Sequence, residues 1–147
     1  MARKPPRRPR VLPDNACHEC GTMMRERRAT LKLPVNGEVI SVPAMPHLAC
    51  SNCHEVVLRF DEARQLHQGA LAIYRRKHGL LSSGELRAIR ERLGLTQGDL
   101  ARLLKLGKNT LSRWEAGRNV QSASMDLLLR LIRDVPGSLD YLRRRAA

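Results

Sequence analysis

The chain has 147 residues, a formal net charge of +13 and a sequence pI of about 10.9. That length admits one domain or two small ones, and no stretch approaches the roughly 18 apolar residues a membrane-spanning helix needs. Hydrophobic residues make up 42% but aromatic ones only 3%, which argues against a β-sandwich or barrel, and the excess of positive charge calls for a polyanionic partner, nucleic acid first.

Residues 1–15, MARKPPRRPRVLPDN, read as a disordered basic tail, with proline and basic side chains among few apolar ones. The tail either adds phosphate affinity or aids solubility. No apolar run of signal-peptide type follows it. The expected location is therefore the cytoplasm, with nucleoid association when DNA is bound, and thiols there stay reduced.

Residues 16–59 hold all four cysteines, as CHEC (Cys17, Cys20) and CSNCH (Cys50, Cys53). Between them, TLKLPVNGEVISV alternates apolar and polar residues around Asn36-Gly37, the strongest short hairpin signal because both turn residues need positive φ. The region reads as a small β unit with a cysteine pair at each end. CSNCH alone also matches a c-type haem attachment sequence or a thiol–disulfide catalyst. Haem attachment would leave the other pair unexplained and normally follows export, and a redox dithiol needs one pair only. Two Cys-x-x-Cys knuckles brought together by a hairpin form a closed four-thiolate tetrahedron, the structural zinc site. One Zn2+ per chain is expected, with rubredoxin-like iron as the alternative metal for the same ligands. His18, His47 and His54 are expected near the site but not as ligands. A closed site has no place for substrate water, so its role is folding.

Residues 60–79 carry an apolar helical stripe through Phe60, Ala63, Leu66, Ala70, Ile73 and Tyr74. They read as a helical linker, weakened at Gly69 and stopped by Gly79. Residues 80–147 divide into about five helices. A Ser82/Glu85 capping box opens the first and Gly94 ends it. Thr96 caps the second, about Gln97 to Leu104. The third runs from about Lys108 to Ala116, before Gly117. The fourth covers about Ala123 to Val135, before Pro136, and the last Leu139 to Arg145.

The stretch LTQGDLARLLKLGKNTLSRWEAGR, residues 95–118, carries the clearest functional pattern. Leu100, Ala101 and Leu104 face inward, with Ala101 small where two helices cross. Leu106 plugs the turn, and Leu111 and Trp114 supply the apolar side of the second helix. Lys108, Asn109, Thr110 and Arg113 are left on its outer face. Asn pairs with adenine edges and Arg with guanine O6 and N7, while Gln97 is placed to touch a phosphate. Lys105 stands where such motifs commonly place Gly, so either the turn is shifted or Lys105 accepts a left-handed backbone. Met125, Leu128, Leu131 and Ile132 read as core or dimer interface.

The T-Q-x-x-L-A and S-R-W-E-x-G patterns resemble the lambda-repressor/Xre type of helix-turn-helix over about residues 82–135. With the two cysteine knuckles ahead of it, the chain resembles the MqsA-type (YgiT-type zinc finger) antitoxins over about residues 16–143. The basic tail has no counterpart in that pattern. The resemblance implies two small domains: a β zinc unit over residues 16–59 that grips a protein toxin, often an RNA-cleaving one, and an all-α helix-turn-helix bundle over 80–147 that dimerises. It implies an autorepressor that binds a palindromic double-stranded DNA operator as a homodimer, with Asn109 and Arg113 as base readers and structural zinc on Cys17, Cys20, Cys50 and Cys53. The rival readings are a stand-alone Xre-type regulator with no toxin, and a thiol oxidoreductase on Cys50 and Cys53. No Ser/His/Asp or paired-carboxylate arrangement is evident, and no enzyme is expected.

Overall fold

The computed structural model describes residues 13–146. The basic tail read over residues 1–15 lies outside them, apart from Pro13, Asp14 and Asn15. A three-stranded antiparallel sheet of order β1-β2-β3 comes first, with β1 Arg25–Val35, β2 Glu38–Ala49 and β3 Val56–Val57. Asn36 (φ 49°) and Gly37 (φ 82°) both lie in the left-handed region, so the β1–β2 turn is the type the Asn-Gly pair demands. The strands run well beyond the alternating segment. Arg25 still pairs with Ala49, so the polar stretch RERRAT is held in the ladder by its partner and not by its own pattern.

The ladder slips once. Ala29 faces Met45, but Leu31 faces Val42, so β2 carries one extra residue around Pro43 and Ala44. Ala44 takes φ 54° there. Proline has no ladder donor to give, and a bulge is where a strand tolerates one.

The helix expected over 60–79 is α1 (Phe60–Lys77), ended by Gly79 at φ 63°. It lies across the hairpin, and Leu66, Ala70 and Leu71 bury against Val35, Ile40, Val42 and Met45. Gly69, unfavourable in a helix by roughly 1 kcal/mol relative to Ala, sits at the closest approach: a Cβ there would lie 3.1 Å from Val42 Cγ1. Its flat backbone lets helix and sheet close. Val120, from the loop after α4, joins the same core, so α1 is packed on two sides.

Residues 80–147 form α2 (Ser83–Arg92), α3 (Gln97–Leu103), α4 (Thr110–Glu115), α5 (Ala123–Asp134) and α6 (Ser138–Ala146). Both capping boxes are present: Ser82 with Glu85, and Thr96 with Asp99. Leu81, Leu86, Ile89, Leu100, Ala101, Leu104, Leu111, Trp114, Leu129 and Ile132 form one core. Each large member contributes roughly 1.5–3 kcal/mol of transfer free energy. Leu106 packs against this core from the turn, as its plugging role requires. The apolar residues assigned to core or interface divide. Ile132 is buried, Met125 and Leu128 are half-buried against the core, and Leu131 faces solvent.

The turn between α3 and α4 keeps its register. Lys105 adopts φ 54°; its N–H donates to Arg102 O at 3.1 Å and that of Leu106 to Ala101 O at 2.8 Å. This is the double-bonded C-cap that glycine usually closes. Gly79, Gly94 and Gly117 close the same pattern after α1, α2 and α4. Here a lysine takes the strained position. Helix α4 begins at Thr110, two residues later than its pattern indicates. Asn109 is its N-cap at φ −109° and ψ 7°, and Lys108 lies in the turn.

Candidate metal centre and candidate nucleic-acid interface

The cysteine knuckles are built alike. The Cys17 N–H donates to Thr22 O at 2.8 Å and the Gly21 N–H to Cys17 O at 2.8 Å, while the Cys50 N–H donates to Glu55 O at 2.9 Å. In each, the residue after the second cysteine is left-handed: Gly21 at φ 75° and His54 at φ 62°. The β1–β2 hairpin and the Ala16–Met23 bridge bring the two knuckles together.

The four Sγ atoms all lie within 4.8 Å of one another. Cys17 Sγ is 3.4 Å from Cys53 Sγ, and Cys20 Sγ 3.5 Å from Cys50 Sγ. A tetrahedron with metal–sulfur bonds of about 2.3 Å has sulfur–sulfur edges of roughly 3.8 Å, so the donor set fits one ion after small adjustments. Cys17 and Cys50 are buried with Met24 and Leu48; Cys20 and Cys53 face outward. The thiols also divide electrostatically. Hydrogen bonds from Thr22, then Asn52, lower the Cys20 thiol to about 5. The Cys53 thiol receives the Glu55 amide, which lowers it, yet the Cys17 thiol, burial and the other two thiols push it up to about 12. Four thiolates this close do not ionise together without a cation between them.

The histidines are placed otherwise than as ligands. His47 is buried with its Nδ1 3.0 Å from Met45 O, His54 supplies the left-handed turn residue, and His18 is exposed. Among the described residues, the group that could hold a metal ion is the four cysteines.

On the helical unit, Lys108, Asn109 and Arg113 are exposed, and Thr110 and Gln97 half-buried. Asn109 makes no side-chain cap bond. Lys108 and Arg113 form no ion pair among the described residues. Leu111, Trp114 and Glu115 occupy the opposite, buried side of α4. The structure thus gathers Lys108, Asn109 and Arg113 at the N-terminal end and outer side of one short helix. Gln97, at the start of α3, donates through Nε2 to Glu115 Oε2 at 2.8 Å, which leaves one N–H of that amide uncommitted.

Two features escape the sequence pattern. Glu115 is fully enclosed and accepts from Arg90 Nε at 2.7 Å and Nη2 at 2.9 Å. Burial alone would raise its carboxyl, but the bonds from Arg90 and Gln97 and the charges of Arg90 and Arg87 hold it below the ordinary value. Glu115 was visible as part of S-R-W-E-x-G, but its partner, 25 residues earlier, was not. Arg75 of α1 is also buried, with no local signal marking it.

Residues 15–143 match the family described as "Antitoxin component of bacterial toxin-antitoxin system, MqsA". The chain is also similar to antitoxin HigA-2 of Vibrio cholerae serotype O1 (strain ATCC 39315 / El Tor Inaba N16961), 33% identical over 88 residues. That match covers 55% of this chain and 83% of the relative. With the paired knuckles and the helix-turn-helix already described, these matches show that the chain belongs to the MqsA-type antitoxin component of bacterial toxin–antitoxin systems.

Proposed function

We propose that this antitoxin is also an autorepressor. As a homodimer it reads a palindromic operator through α4, and it seats its cognate toxin, of RNA-cleaving type, on the N-terminal unit. The observation that carries the DNA reading is the unpartnered trio Lys108, Asn109 and Arg113, at the start and on the outer side of a helix whose other side is locked by Leu111, Trp114 and Glu115. Asn109 and Arg113 contact base edges, Arg113 bidentate to guanine. Lys108, Thr110 and the free N–H of Gln97 contact phosphates. The role is regulatory, not catalytic.

The dimer reading is supported by exposed apolar side chains on α5 and after it. Leu127 (67% exposed), Leu131 (45%) and Val135 (50%) follow one another at helical spacing, with Tyr141 (53%) nearby in sequence on α6. Two recognition helices about 34 Å apart then meet successive turns of DNA. The toxin site is supported by Phe60 (86% exposed) and Val56, beside the second knuckle.

The metal is zinc, held by Cys17, Cys20, Cys50 and Cys53, and it ties the first knuckle to the second. No helix among the described residues is long and apolar enough to cross a membrane, consistent with a cytoplasmic place of action.

The test is Arg113→Ala measured on specific and random duplexes. A loss of about 1–3 kcal/mol of discrimination is expected. Equal weakening on both duplexes would rule out base reading by this residue.

A further inference from the structure

Arg75 is the buried arginine among the described residues, at 3% exposure, and no carboxylate pairs with it there. Burial lowers its guanidinium from the ordinary value. A buried cation without a counter-charge is costly unless its donors are used, and here four of the five N–H groups are bonded. Nη2 donates to Trp114 O at 3.1 Å and to Asn119 O at 2.7 Å. Nε donates to Gln121 Oε1 at 3.3 Å, and Nη1 to Ser83 Oγ. Three of these four partners belong to the last turn of α4 or to the loop that leaves it.

The rest of α1 grips the same segment. Gln68 Nε2 donates to Ala116 O at 3.4 Å, and Val120 enters the core of α1 and the hairpin. Gln121 passes the contact onward, donating to Leu81 O at 2.7 Å and to Asp126 Oδ1 at 3.0 Å. A helix of the N-terminal unit therefore anchors the exit of the recognition helix in the C-terminal one.

We propose that Arg75 is a positioning residue for DNA reading: by fixing the C-terminal end of α4, it sets the angle at which Asn109 and Arg113 meet the bases. The proposal rests on the DNA-reading function stated above. Its geometry is simple. Six residues of α-helix span about 9 Å, and a tilt of about 6° about the C-terminal anchor moves the N-terminal end by about 1 Å. The pair of hydrogen bonds from Asn109, at that end, to an adenine edge does not survive a displacement of that size unchanged. The N-terminal end has no side-chain cap to resist the tilt, so the anchor at Trp114 and Asn119 and the buried side chains of α4 carry it.

The experiment compares full-length wild type with Arg75→Lys on a duplex selected from a random library by the wild-type chain and on a scrambled duplex. Lysine keeps the charge but cannot span four acceptors. The expected result is a fall of roughly 2- to 30-fold in the ratio of selected to scrambled affinity, the range for substitutions that bias a site from outside it. Scrambled affinity and salt slope should be unchanged, and the emission of Trp114, the single tryptophan, should shift. A merely structural role would instead lower both affinities together as folded protein is lost. An unchanged ratio in folded Arg75→Lys overturns the proposal. If that variant does not fold, Gln68→Ala, which removes only the bond to Ala116 O, should show a smaller fall, and no fall overturns the proposal equally. A wild-type chain that selects no sequence overturns the DNA reading itself, and the role of Arg75 with it.

Discussion

Arg90 of α2 holds Glu115 of α4 through two hydrogen bonds, at 2.7 and 2.9 Å, across 25 residues of chain. The carboxylate is enclosed, and the arginine that satisfies it also donates to Leu95 O at 3.0 Å, the residue before the α3 cap. One side chain thus ties α2, the start of α3 and the end of α4 together. Glu115→Ala leaves Arg90 largely buried, with only Leu95 O and the longer contact to Glu91 at 3.5 Å in place of its two-bond partner. A loss of about 3 kcal/mol or more is expected, read as a lower midpoint of denaturant unfolding.

The same pair fixes a pH dependence. The carboxyl of Glu115 is held below its ordinary value in the folded chain. Its stabilising contribution is therefore fully present above the ordinary carboxylate range and is lost as the pH falls through the folded value. Thermal melts from about pH 6 to about pH 3 should show falling stability, and Glu115→Gln should remove part of that slope. An identical slope in the variant would assign the acid sensitivity to other carboxylates.

Metal removal should act locally. The knuckles share a small core of Cys17, Met24, Leu48 and Cys50, whereas the hairpin tip packs on α1 through a separate and larger one. Chelation should raise amide exchange first over residues 16–24 and 48–57, with α2–α6 protected. Uniform loss of protection across the chain would contradict two separate cores.

Lys105 sits at φ 54° in a cap that glycine closes after α1, α2 and α4. A left-handed non-glycine residue costs roughly 1–2 kcal/mol, partly offset by the entropy glycine loses on folding. Lys105→Gly should stabilise the chain by about 1 kcal/mol in chemical denaturation.

Leu131 projects from α5 while Ile132, one residue on, is buried. Leu131→Glu should leave the helical signal intact and convert a sedimenting dimer to monomer at micromolar concentration. A dimer that persists would move the interface elsewhere.

What the sequence made legible was local. Ser82/Glu85, Thr96/Asp99, Asn36-Gly37 and the two Cys-x-x-Cys pairs each carry their signal within a few residues, and each lies where that signal puts it. The remainder depends on distant partners. Arg25–Thr30 is strand because β2 pairs with it. Val56–Val57 is too short to have a period. Gly69 is explained only by Val42, brought alongside by the fold. Arg75 reads as one of three consecutive basic residues at the end of a helix, and nothing within its turn shows that α4 and its loop enclose it.

DNA reading by α4 is tested by selecting binding sites for the full-length, metal-loaded chain from a random duplex library. The expected result is enrichment of a two-fold symmetric site, its half-sites about one helical turn apart, that contains guanine and adenine positions whose preference disappears in Arg113→Ala and Asn109→Ala. No enriched sequence, or one unaffected by both substitutions, would contradict a recognition helix at α4.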